Sequence, residues 1–174
     1  MTTVEIKKLS LSDLDQLQRI SIQTFIETYS SENTKENIKT YLDQAFSTDI
    51  LIAELRDKNV EFYFAILDNI AIGYIKLNFG SSQTELKEDC GIEIERIYVT
   101  IEYHGKNVGR LLCGKAIERA KEKNADYVWL GVWEENLRAI NFYKKNGFVE
   151  FDKHGFKLGN AEQTDLMMKL KLSN

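Results

Sequence analysis

The chain is predicted to fold as an α/β (α+β) protein, a single domain spanning residues 1–174. Three observations carry that expectation. Phe62 to Leu67 and Ile70 to Phe79 are β-rich runs separated by Asp68-Asn69, a two-residue hairpin signal. Tyr127 to Trp133 is apolar throughout and reads as a strand buried on both faces. Around these strands lie segments whose apolar residues recur at helical spacing. A chain of this length can bury roughly 70% of its unfolded surface, enough for one core.

From the N-terminus, Val4 to Leu9 alternates weakly and reads as a first strand. Ser10 and Asp13 then form a variant helix-start box ahead of Leu14, Leu17 and Phe25. Helices are expected from Asn33 to about Ala45 and from Ser47 to Leu55, followed by the hairpin. The polar segment Gly80 to Asp89 reads as a loop. Gly91 to Thr100 is a strand with an irregularity: Ile92 and Ile94 share one parity, Ile97 and Val99 the other. Either both faces are buried or a bulge intervenes near Glu95–Arg96. Val108, Leu111, Leu112, Ala116 and Ala120 share one face of a helix ending near Lys123. After the buried strand, Glu134 to Asn146 reads as a helix stopped by Asn146-Gly147. Phe148 to Phe156 and Asp165 to Leu172 complete the chain as an antiparallel pair.

Bulk properties exclude several functions. A formal net charge of −4 argues against a nucleic-acid surface. Cys90 and Cys113 make neither a zinc spacing nor a C-x-x-C pair, so no metal is expected, and Cys113 reads as a packing residue. No run approaches the ~18 apolar residues of a membrane helix. The start, M-T-T-V-E-I-K-K, is polar where a signal peptide would be apolar, which points to the cytoplasm.

The most informative stretch is Glu102 to Leu112, E-Y-H-G-K-N-V-G-R-L-L. A strand, a glycine-bearing turn and a helix start present main-chain N–H groups in one direction, backed by the helix dipole. That arrangement suits a pyrophosphate. Downstream lies N-L-R-A-I-N-F-Y-K-K-N-G-F, Asn136 to Phe148.

Together the two segments resemble the GNAT superfamily of acetyl-CoA-dependent N-acetyltransferases. The first is similar to that family's Q/R-x-x-G-x-G/A loop, the second to its N-x-x-A-x-x-F-Y-x-K-x-G-F signature. I-E-R-I-Y-V and W-L-G-V-W-E resemble PaiA-type polyamine acetyltransferases more closely. Two positions depart from the pattern. His104 stands at the Gln/Arg position, and Asn107 stands where a second glycine is usual, although Asn tolerates the left-handed backbone such a loop needs.

The resemblance implies a single mixed, mostly antiparallel twisted sheet flanked by helices, with strands four and five splayed to admit pantetheine. It also implies acetyl-CoA as co-substrate and direct attack of an amine on the thioester. Homodimers are common in the family. Main-chain groups of Ile97, Tyr98 and Val99 would pair with pantetheine as an added strand would. Gly105, Lys106, Asn107, Val108, Gly109 and Arg110 would hold the pyrophosphate, unless Lys106 and Arg110 are only solvated cations. Asn136 would bond the pantetheine arm and Lys145 the nucleotide phosphate. Tyr143 would act as general acid toward the coenzyme sulfur. His104 and His154 read as structural or surface residues.

An alkylammonium of pKa ~10.4 is about 0.04% neutral at pH 7, so its deprotonation costs ~4.6 kcal/mol without assistance. Glu93 and Glu95, beside the expected thioester, are the base candidates; otherwise they are solvated strand carboxylates, or one pairs with Arg96. Between Ile20 and Glu54, six acidic residues (Glu27, Glu32, Glu36, Asp43, Asp49, Glu54) face two lysines, Lys35 and Lys39. Such a segment reads either as solvated helix faces or as a rim that attracts a cationic amine. With the resemblance, it points to spermidine or spermine. The other readings are a protein N-terminus, another small amine, or a non-catalytic acyl-CoA-binding regulator.

Overall fold

Seven strands form one mixed sheet in the order β1-β2-β3-β4-β5-β7-β6: β1 (Glu5–Lys8), β2 (Val60–Leu67), β3 (Ile70–Phe79), β4 (Gly91–Val99), β5 (Tyr127–Trp133), β6 (Val149–Leu158) and β7 (Ala161–Lys171). Every neighbouring pair is antiparallel except β4 with β5. The computed structural model describes residues 2–173, so the first and last residues of the expected 1–174 domain lie outside the described residues. Helices α1 (Leu14–Tyr29), α2 (Lys35–Ala45) and α3 (Thr48–Arg56) pack on one face through Leu17, Phe25, Ile38 and Leu51. On the other, α4 (Val108–Glu122) and α5 (Leu137–Lys145) bury Leu112, Ala116, Ile140 and Tyr143. Among the described residues no helix is long and apolar enough to cross a membrane.

Local chemistry explains the boundaries. The Ser10 N–H donates to Asp13 Oδ2 at 2.9 Å across a short 3-10 turn, Leu11–Asp13, that leads into α1. Thr34 and Ser47 cap α2 and α3 through their hydroxyls. Asp68 and Asn69 both take positive φ, the primed-turn geometry that a two-residue hairpin requires. Two expectations need correction. The last helix begins at Leu137 rather than Glu134, because Asn136 accepts the Ala139 N–H through its side chain and sets the cap there. The final hairpin runs on past Phe156 to Leu158↔Ala161, with Gly159 turning the chain at φ +60°. Ladder pairing holds this stretch, and the polar sequence around the turn hid it.

The feature that positions the site lies in β4. Lys76 pairs with Arg96 and the next residue, Leu77, with Ile94, so Glu95 is left over as a bulge. This settles the parity irregularity. Parallel pairing of β4 with β5 covers Gly91↔Tyr127 to Ile94↔Leu130 and stops there. Beyond it β5 pairs with β7 alone, and a slot opens between the two central strands.

Candidate active site

The slot widens into a cleft of about 1360 Å³ bounded by β4, β5, the start of α4, α5 and the C-terminal end of α1. All the candidate catalytic and coenzyme-binding residues line it except Lys106, whose ammonium lies 5.0 Å from the Tyr103 ring centre.

The loop before α4 has the geometry of an anion cradle. Gly105 and Asn107 sit at φ +75° and +65°, both in the left-handed region. Asn107 therefore supplies the conformation for which a glycine was expected. Main-chain N–H groups from Asn107 to Arg110 belong to the first turn of α4, where no intrahelical acceptor exists. Arg110, Arg138 and Lys145 line the same end, and none has a carboxylate within 4.0 Å among the described residues.

Along the slot, the Thr100 N–H donates to Ile72 O. Antiparallel alternation then turns the main-chain groups of Tyr98 and Arg96 toward β3, and those of Ile97 and Val99 toward the slot. Tyr98 contributes its ring instead, stacked 6.0 Å from that of Tyr74.

Tyr143 is buried, and burial pushes its phenol far above the ordinary value. The residue lines the cleft, and burial, with no hydrogen bond to its hydroxyl among the causes, accounts for the shift. At neutral pH the phenol is a hydrogen-bond donor. Cys113 is buried with its thiol pushed up to about 11, consistent with packing.

The two base candidates differ. Glu93 is only 3% exposed; it accepts from the Thr84 N–H at 2.8 Å, the Thr84 hydroxyl at 2.5 Å and Asn78 Nδ2 at 3.0 Å. Burial raises its pKa against those bonds. Its oxygens are occupied in tying the β3–β4 loop to the sheet. Glu95, the bulge residue, is partly exposed. Burial pushes its pKa up, but Arg96, Lys76 and Asn78 together hold it below the usual carboxylate range. Lys76 pairs with both Glu95 and Glu54, and Arg96 reaches Glu54 through two 3.2 Å contacts while lying over the Phe46 ring.

Sequence reasoning missed a third group. Glu85, His154 and Asp165 converge from the β3–β4 loop, β6 and β7. His154 Nδ1 lies 2.6 Å from Glu85 Oε1 without the angle of a directed hydrogen bond, and Nε2 lies 3.4 Å from Asp165 Oδ2. Burial raises the pKa of Asp165, with His154 opposing. Gln83 fixes the loop carrying Glu85 by accepting from Trp129 Nε1 at 2.7 Å and donating to Glu88 O. One signal was present. Asp165 has the same parity as buried Met167, an inward position unusual for a lone carboxylate. The acidic run from Ile20 to Glu54 is a correction: only Glu27 and Glu32 of its six carboxylates reach the cleft. Asp43 pairs with Lys39, and Glu54 is taken by Lys76 and Arg96.

The cleft is thus cationic and amide-rich where α4 begins, and carboxylate-rich beside the β4 bulge. No cluster of metal-ligating side chains exists among the described residues.

Known proteins were compared with the chain. The model of the acetyltransferase (GNAT) family matches residues 14–148. An uncharacterised N-acetyltransferase of Lactobacillus delbrueckii subsp. lactis is 36% identical over 172 residues, covering 99% of both chains. The spermidine N(1)-acetyltransferase of Thermoplasma acidophilum is 29% identical over 157 residues, covering 88% of this chain and 92% of its own. The crystal structure of PaiA N-acetyltransferase from Thermoplasma acidophilum, in complex with coenzyme A, superposes with a TM-score of 0.81 at 26% identity, covering 98% of this chain and 99% of that one. The family match over most of the sequence and the end-to-end Lactobacillus relative place the chain in the acetyltransferase (GNAT) family.

Proposed function

We propose that this acetyl-CoA-dependent N-acetyltransferase acts on a primary amine of a polyamine, spermidine or spermine. The observation that carries the acceptor is the group of carboxylates at the bulge end of the cleft, Glu85, Glu95 and Asp165, whose basic partners among the described residues are His154 and the sequestered Lys76 and Arg96. A polycation brings its own counter-charge to such a site. The spermidine acetyltransferase relative supports the same acceptor.

The residues at the other end fit the coenzyme. The α4 amides and the Gly105–Asn107 turn suit a pyrophosphate, the unpaired Arg110 and Lys145 suit phosphate charge, and the slot-facing groups of Ile97 and Val99 suit an amide-bearing arm. Asn136 keeps its side-chain amide N–H groups free for the same arm, since the cap uses only Oδ1. Lys106 lies outside this set. When bound, the coenzyme supplies an acetyl group activated as a thioester.

Tyr143 then donates a hydrogen bond to the departing sulfur. With its phenol pushed far above ~10, outright proton transfer to a thiolate of ~8.5 is more than ~2 kcal/mol uphill, so stabilisation rather than transfer describes its role. Of the two strand carboxylates, Glu95 is the better candidate to meet the amine, through water, because it is the more exposed, while Glu93 is buried with Thr84 and Asn78. The Lys76–Arg96 clamp keeps Glu95 ionised and weakens its pull on a proton and on an ammonium alike, so the counter-charge for the amine comes chiefly from Glu85 and Asp165.

Glu85→Gln combined with Asp165→Asn is expected to raise KM for spermidine about tenfold, while KM for n-butylamine changes less than twofold, because only the polyamine carries further ammonium groups. Equal changes for both amines, or none for spermidine, would remove the acidic group from acceptor recognition.

A further inference from the structure

His104 departs from the Gln/Arg expected at its position, yet it is tied into the site at both ring nitrogens. Nε2 lies 2.7 Å from Val99 O. A carbonyl only accepts, so Nε2 carries the proton. Nδ1 faces a guanidinium nitrogen of Arg138, which only donates, so Nδ1 carries a lone pair. With these two partners the imidazole bridges the slot-facing main chain of β4 to the first turn of α5.

Arg138 is consequently held at the cleft by an imidazole rather than by a carboxylate. Its charge is not spent: it has no carboxylate within 4.0 Å among the described residues, it is exposed, and it lines the cleft beside Arg110 and Lys145. A guanidinium has five N–H donors, and one bond to an imidazole leaves the others for an anion. An arginine fixed by an imidazole, with no carboxylate beside it, is costly in side-chain entropy unless a ligand uses it.

We propose that Arg138 binds a phosphate group of the coenzyme, and that His104 is the positioning residue that aims it. His104 thereby couples the pantetheine slot, through Val99, to a cation on α5 that the loop pattern does not include. This assignment concerns the coenzyme end alone and holds whichever amine is the acceptor.

The test is equilibrium binding of coenzyme A and of 3′-dephospho-coenzyme A to the full-length protein, by calorimetry, for five forms: wild type, Arg138→Ala, His104→Ala, the double variant and His104→Gln. Arg138→Ala is expected to weaken coenzyme A binding about tenfold, as for loss of a charged hydrogen bond. His104→Ala should weaken it by roughly three- to tenfold. The double variant should bind about as weakly as Arg138→Ala, because the two side chains act as one unit. His104→Gln should recover to within about twofold, since an amide can donate to Val99 O and accept from Arg138. Loss confined to coenzyme A assigns the 3′-phosphate to Arg138, and equal loss with both ligands assigns the pyrophosphate. Unchanged affinity in Arg138→Ala would overturn the proposal. So would losses in the two single variants that simply multiply in the double variant, because His104 would then act independently of Arg138. Melting temperatures without ligand identify any variant whose loss is one of folding.

Discussion

Tyr143→Phe is expected to lower kcat by roughly ten- to a thousand-fold while coenzyme affinity stays within about twofold. The ring packs against Phe142 and Phe148, with centroids 5.4 and 5.6 Å away, so phenylalanine keeps the core contacts. What disappears is one hydroxyl, on a residue that lines the cleft. A group that meets the sulfur chiefly as the thioester breaks contributes to kcat rather than to ground-state binding. The raised phenol pKa adds a sign. Tyr143 stays protonated throughout the neutral range, so its removal should lower the rate by a similar factor at pH 7 and pH 9 instead of shifting the profile. Steady-state rates at saturating acetyl-CoA check this. An unchanged kcat would remove Tyr143 from the chemistry.

Arg96→Met is expected to cost about 3–5 kcal/mol of stability, roughly 10 °C in Tm for a chain of this size. Arg96 is 8% exposed and serves Glu54 and Glu95 at once, with Phe46 beneath its guanidinium. Methionine fills much of the volume but leaves two carboxylates to share Lys76. The pH dependence should change too. Because Arg96 and Lys76 hold Glu95 below its ordinary pKa, that carboxylate contributes stability above the usual glutamate range and loses it as pH falls through the lowered value. The variant should show a shallower loss of stability on acidification. Denaturant melts between pH 3 and pH 7 measure both effects, and a cost below about 1 kcal/mol would mean the clamp is not a structural determinant.

The sheet was legible because its signals are local. Asp68-Asn69 marked the hairpin, the unbroken run from Tyr127 to Trp133 marked a strand covered on both faces, and the parity switch in β4 marked the bulge. The cationic, amide-rich end of the cleft was legible for the same reason, since its residues are contiguous and its motif is specific. The carboxylate-rich end was not. Glu85 lies in a polar loop without periodicity, and only long-range bonds from Gln83 to Trp129 and from Thr84 to Glu93 bring it beside β7. His104 and Arg138 lie 34 residues apart, and nothing in either segment announces that they meet. The acidic run before β2 misled because charge counts ignore direction: Glu54 turns inward to two cations and Asp43 pairs along its own helix.

The most direct measurement is thiol release from acetyl-CoA across a panel of spermine, spermidine, putrescine, lysine-ended peptides and aminoglycosides. Selective turnover of spermine or spermidine, with kcat/KM at least tenfold above the other amines, is the expected result. Equal turnover of all amines, or coenzyme binding with no amine-stimulated release, would contradict the assignment of the acidic end of the cleft to a polyamine.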